Sequence, residues 1–192
     1  MDMLRQLNVL RKKAFCAAGK PPIYVELGCG KGDFAMDLSK QERKWVVGID
    51  ECPGLAESSL SRYARAVQFL LLEVSYEEWI KGTLPKKEMG LAFFAGRASK
   101  AFMIMPFALP QNRDFSLEIA IWQALASKDS ELHIRTEVPV IKKYFQQAFL
   151  KAGLSVREIP FAQEAKEIPS LSTNLIRDKR GLTIYDFAFK LC

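Results

Sequence analysis

Three glycines and two acids carry the chemistry that this sequence can be read for. The stretch Ile23-Tyr24-Val25-Glu26-Leu27-Gly28-Cys29-Gly30-Lys31-Gly32-Asp33-Phe34 sets an acid, Glu26, just ahead of a G-x-G-x-G turn. Gly28, Gly30 and Gly32 allow backbone angles and a closeness of approach that a Cβ would block, so a ligand can lie directly on the main chain there. A dinucleotide turn is written G-x-G-x-x-G and places a pyrophosphate at a helix N-terminus. The spacing here differs. A carboxylate at Glu26 suits a cationic amino-acid group better than a pyrophosphate, because opposite charges attract across a partly dry site. The second acid, Asp50, closes the run Trp45-Val46-Val47-Gly48-Ile49-Asp50, 22 residues past Gly28. That is near the ~20 at which an acid holds ribose hydroxyls at the end of a second strand. Both hydroxyls can donate to one ionised carboxylate. A helix N-cap is the other reading of Asp50. Glycine turn and acid together point to a nucleoside-containing cofactor.

The elements that must position these residues follow from periodicity. Residues 3–17 read as an amphipathic helix through Met3, Leu4, Leu7, Leu10 and Ala14. Its basic residues Arg5, Arg11, Lys12 and Lys13 either meet phosphates or form a solvated face. Lys20-Pro21-Pro22 stiffens the entry to the first strand. Asp33 is placed to cap the following helix, whose Phe34, Ala35 and Leu38 fall on one side. After Asp50, Pro53-Gly54 starts a helix carrying Leu55, Ala56, Leu60, Tyr63 and Ala64. Residues 67–72 read as a third strand closed by Glu73, which is either an acceptor for an adenine amino group or a surface carboxylate. Ser75 to Ile80 is a short helix with Ser75 as cap.

Two runs compete for the fourth strand, Leu91–Phe94 and Phe102–Met105. Arg97, Lys100 and Arg113 lie among apolar residues there, as a nucleic-acid surface or, the favoured reading, as an apolar lip. A helix over 117–126 leads to a strand over 131–137, in which His133 alternates with Leu132 and Ile134 and reads as a satisfied strand histidine rather than a catalytic one. Val140, Ile141, Tyr144, Phe145, Ala148 and Phe149 form the stripe of a helix over 139–152, stopped by Gly153. A sixth strand over 154–159, a loop over 161–174, a basic turn at 177–181 and a last strand over 182–191 complete the chain. Strands alternating with helices imply a mostly parallel sheet covered on both faces, with ligand at the carboxyl ends of the first strands. The last two strands have no helix between them and are expected to pair antiparallel.

At 192 residues with 49% hydrophobic content, one domain spanning 1–192 is expected, residues 1–20 leading into it. No apolar run of membrane-spanning length and no signal-peptide h-region are read, so a cytoplasmic location without membrane partners is expected. The four cysteines, Cys16, Cys29, Cys52 and Cys192, form no C-x-x-C pair, and His133 is the single histidine. No metal site is expected, and reduced thiols fit best. A net charge of +6 favours a polyanionic partner.

The pattern E-x-G-x-G-x-G resembles motif I of class I S-adenosylmethionine (SAM) methyltransferases. The wider chain resembles the bacterial tRNA (guanine-N7)-methyltransferase family. The resemblance is densest in VELGCGKGDFAMDLSK and VVGIDECPGLAESSL, and it extends through Val67–Leu70, the strand Glu131–Glu137 against E-L-H-x-x-T-D, Thr173, Arg180-Gly181 and Ile184-Tyr185-Asp186. It implies a Rossmann-like α/β fold with a seven-stranded sheet whose last strand is antiparallel. It further implies SAM as cofactor, held by Glu26, Gly28, Gly30, Asp50 and Glu73. The implied partner is tRNA, met by Thr136, Glu137, Thr173 and Arg177. The family's F-P-D-P-W-P-K-K-R segment after the fourth strand has no counterpart carboxylate. Matching by prolines puts Phe107 in the place of the Asp, and matching by length puts Gly96 there. The family's T-K-[FY]-E becomes Thr173-Asn174-Leu175-Ile176, so that acid is absent too. No catalytic residue is assigned.

Overall fold

The computed structural model describes residues 3–51, 57–81, 91–105, 114–168 and 183–192. The site-bearing half begins with α1 (Met3–Ala17), β1 (Ile23–Leu27), α2 (Asp33–Glu42), β2 (Trp45–Asp50), α3 (Glu57–Arg65), β3 (Phe69–Glu73) and α4 (Tyr76–Lys81). Then come α5 (Leu91–Phe94), β4 (Ala98–Met105), α6 (Ser116–Leu125), β5 (Ala126–Thr136), α7 (Ile141–Lys151), β6 (Val156–Ile159), α8 (Gln163–Lys166) and β7 (Tyr185–Leu191). The seven strands form one sheet in the order β3-β2-β1-β4-β5-β7-β6. Pairings from β3 to β5 are parallel, and β7 runs antiparallel to both β5 and β6.

The central strands are buried on both sides, as parallel strands under two helix layers must be. Val25 and Leu27 of β1 point into a core shared with Phe15, Trp79, Trp122 and Phe145. Tyr24 points to the opposite core, with Phe34, Met36, Tyr63 and Phe161. Chain order reverses at β1, which sends β2 and β3 to one side and β4 and β5 to the other. That switch point is where open α/β sheets leave a crevice for ligand.

Several expectations change on contact with the tertiary structure. The fourth strand is β4, over 98–105, whereas 91–94 is a helical turn. The α1 stripe is rotated: Leu10 is 61% exposed, whereas Arg11 is 4% and Phe15 0% exposed. The reason is the edge strand. Asn8 Nδ2 donates to the Leu71 carbonyl at 3.0 Å and Asn8 Oδ1 faces the Leu71 N–H at 3.5 Å, so a side-chain amide stands in for a missing strand partner beside β3. Arg11 lies 3.9 Å over the Tyr63 ring and donates to the Tyr63 carbonyl, which takes it away from any phosphate. The expected loop after β6 contains α8, with Phe161, Ala162, Ala165 and Ile168 buried against the α2 side of the sheet. Lys100 pairs with Glu131 at 3.7 Å and with Glu164, and Arg97 donates to the Lys20 carbonyl, so both cations are engaged within the protein. Arg113 lies outside the described residues. Among the described residues no helix is long and apolar enough to cross a membrane.

Candidate functional site

The acids and glycines singled out above lie at or next to the carboxyl ends of β1, β2 and β3. Leu27, at the end of β1, is in register with Ile49, and Asp50 is in register with Glu73 of β3. Thr136 ends β5 beside Met105 of β4 and Tyr185 of β7, and Glu137 follows it. Thr173 and Arg177 lie outside the described residues, as do 52–56, where the helix after Asp50 was expected to start.

The turn after β1 takes positive φ at Gly28, Gly30 and Gly32, of 69°, 53° and 73°. A Cβ built on Gly30 would meet nothing within 4 Å, so the turn presents bare backbone to open space, as a ligand cradle requires. At Gly32 the constraint is internal, because a Cβ would stand 2.8 Å from Cζ of Phe69. Asp50 Oδ2 accepts the Gly30 N–H at 2.8 Å. One carboxylate thereby ties the turn to the end of β2. Glu73 is exposed at the end of β3.

Glu26 has a different position from the one its charge implied. It is 3% exposed, and its Oε2 accepts the Ala35 N–H in the first turn of α2 at 3.1 Å. It therefore caps α2 from inside the sheet, the task expected of Asp33. Asp33 instead pairs with Arg62 of α3 at 2.5 Å, and Arg62 also bonds Asp37. Burial pushes the Glu26 carboxyl well above the usual carboxylate range, against the Ala35 hydrogen bond, with Asp33 and Asp50 adding to the rise. An approaching cation at the turn would favour its ionised form.

Across the crevice, Thr136 is buried and its Oγ1 accepts the Val138 N–H at 3.1 Å, which fixes the bend where Glu137 leaves β5. Oε2 of Glu137 is buried without a hydrogen-bond partner among the described residues. A carboxylate oxygen left so is costly unless something else donates to it. His133 is satisfied as expected: Nδ1 accepts the Ala162 N–H at 3.1 Å, and Nε2 lies 3.0 Å from Glu131. Burial lowers its pKa. The Nδ1 contact fixes the tautomer with the proton on Nε2.

Sequence reasoning passed over Glu51, whose Oε1 accepts the Tyr76 N–H at 3.0 Å and caps α4. An acid directly after Asp50 was the available signal. It also left the segment after the fourth strand open. With β4 ending at Met105, Gly96 lies before that strand, so residues 106–113, with Phe107, occupy the place after it. Among the described residues no group of three or more His, Cys, Asp or Glu side chains is arranged to hold a metal ion.

The strand order, the switch point at β1 and the glycine turn define the Rossmann-like fold of class I SAM-dependent methyltransferases. Solved structures with this architecture match the chain along nearly all its length. The aminoglycoside resistance methyltransferase NpmB1 aligns at a TM-score of 0.58 with 17% identity, over 95% of this chain and 93% of that one. The 30S ribosomal A1408 methyltransferase from an uncultured bacterium aligns at 0.55 with 16% identity, over 95% and 94%. The 16S rRNA methyltransferase KamB aligns at 0.55 with 14% identity, over 88% and 86%. No family model and no curated protein sequence matches the chain.

Proposed function

We propose that this chain is a SAM-dependent methyltransferase acting on RNA, with guanine N7 of tRNA as its target. The observation that carries the cofactor reading is the Asp50–Gly30 hydrogen bond beside the open Gly30 backbone. It sets a carboxylate for ribose hydroxyls next to bare backbone for the amino-acid part of the ligand. In this reading Glu26 and Gly28 flank the methionine portion, Asp50 takes the ribose, and Glu73 takes the adenine amino group. SAM supplies an electrophilic sulfonium methyl group when bound.

The substrate reading rests on the resemblance together with Glu137. Guanine N7 carries a ring lone pair, so no residue has to remove a proton from it. The protein's task is to hold the base in line and in reach, which is catalysis by proximity and orientation. A carboxylate accepts from the guanine N1–H and amino group, and Glu137 Oε2 is an acceptor with no partner among the described residues. Thr136 shapes its bend, and Thr173 and Arg177 are proposed to meet the nucleotide. Phe107 and Ile176, where that family carries acids, favour one second reading: methylation of another RNA base.

A mixture of unmodified tRNA and 16S rRNA offered with labelled SAM tests the substrate class. Label in tRNA supports the first reading, label in rRNA the second. RNA binding that weakens steeply with salt is expected in both, because phosphate contacts release counterions.

A further inference from the structure

Tyr76, the first residue of α4, sits behind the glycine turn rather than in front of it. Its hydroxyl donates to the Ile49 carbonyl at 3.3 Å. The same carbonyl accepts the Gly28 N–H at 2.8 Å and the Cys29 N–H at 3.1 Å. One oxygen at the end of β2 thus receives three donors, two from the turn and one from α4, although a carbonyl has only two lone pairs. The flanking residues are held by the same segment. The Val74 N–H donates to the Asp50 carbonyl at 3.0 Å, and Glu51 Oε1 accepts the Tyr76 N–H at 3.0 Å. The Tyr76 hydroxyl also stands 3.8 Å from where a Cβ on Gly28 would be. Residues 74–76 therefore hold residues 49, 50 and 51 in succession. They brace the main chain from which Asp50 reaches Gly30.

We propose that Tyr76 is a positioning residue for the cofactor site: its hydroxyl fixes the Gly28–Cys29 turn against β2 and thereby sets the place of Asp50. This rests on the cofactor reading above. Burial, ahead of the Asp50 charge, raises the phenol well above its ordinary pKa, so it remains a donor throughout the working range. The ring is buried in the core with Trp79 and Val74, so removal of the hydroxyl alone leaves the packing in place.

The test is Tyr76→Phe, with S-adenosylhomocysteine (SAH) as the probe. The Kd for SAH is expected to rise about 3- to 10-fold, the effect of one lost neutral hydrogen bond. In methyl transfer the KM for SAM should rise by the same factor with kcat unchanged at saturation. In the unliganded protein the Gly28 and Cys29 amides should exchange with solvent faster than in the wild type. A purely structural role would lower the melting temperature and leave the Kd of the folded protein alone. A Kd within twofold of wild type, or unchanged exchange at the two amides, overturns the proposal. Failure of the wild-type chain to bind SAH would overturn the cofactor reading itself. The exchange comparison would then still decide whether Tyr76 holds the turn.

Discussion

Replacement of Asp50 bears most on the cofactor site, and its effect can be worked from the geometry. The carboxylate accepts the Gly30 N–H at 2.8 Å, and in the proposed complex it also accepts two ribose hydroxyls. Hydrogen bonds to a charged acceptor contribute about 1.5–3 kcal/mol each. Loss of both ribose contacts in Asp50→Ala amounts to about 3–6 kcal/mol, and each 1.4 kcal/mol is tenfold in Kd. SAH affinity should fall about 10²- to 10⁴-fold. Asp50→Asn keeps an acceptor for Gly30 but lacks the charge, so its loss should lie between wild type and alanine. Isothermal titration with SAH reads both variants, and melting curves confirm that they are folded. Affinity within threefold of wild type in folded Asp50→Ala would refute the assignment of the cofactor to the carboxyl ends of these strands.

Glu137→Gln should lower kcat/KM toward RNA about 10- to 100-fold while leaving SAH affinity unchanged, since a charged acceptor at the base is lost and the cofactor side is not touched; steady-state kinetics beside a titration separate the two. Gly48→Ala should destabilise the fold by about 1–3 kcal/mol, because the new Cβ would stand 2.8 Å from the Phe69 ring and 2.9 Å from Cys29 Sγ; a drop in chemical-denaturation midpoint checks it. His133 is neutral and buried with its pKa depressed, so the unfolded chain binds the extra proton first. Stability from this residue is present above the unfolded value of about 6.5 and is lost as pH falls below it. Denaturation curves between about pH 5 and 7 should lose part of their pH dependence in His133→Gln, and an unchanged slope would remove His133 as its source.

Much of this architecture is written in local pattern. The run Ile23–Leu27, the glycine turn and the Trp45–Asp50 strand have one local solution each, because apolar strands, φ-permissive glycines and a terminal acid agree. The antiparallel end of the sheet was legible because the sequence between the last two strands carries no long helical stripe, and the α8 found there has only four residues. Gly153, at φ 66°, ends α7 where expected. What could not be read depended on partners distant in sequence. Arg11 is buried because Tyr63, 52 residues on, offers it a ring and a carbonyl. Asn8 is inward because Leu71 lies on an unpaired edge. The hydrogen bond that Glu26 accepts from the Ala35 N–H exists only once α2 has folded back over β1. The choice between Leu91–Phe94 and Phe102–Met105 had no local answer, since both runs are apolar and short. It was settled by the partners β1 and β5 on either side of β4.

Transfer of labelled methyl from SAM to unmodified tRNA, followed by digestion to nucleosides, tests the central claim most directly. The account predicts label in 7-methylguanosine, with transfer lost in Asp50→Ala. SAH binding on the same sample with no label in any RNA nucleoside would contradict it.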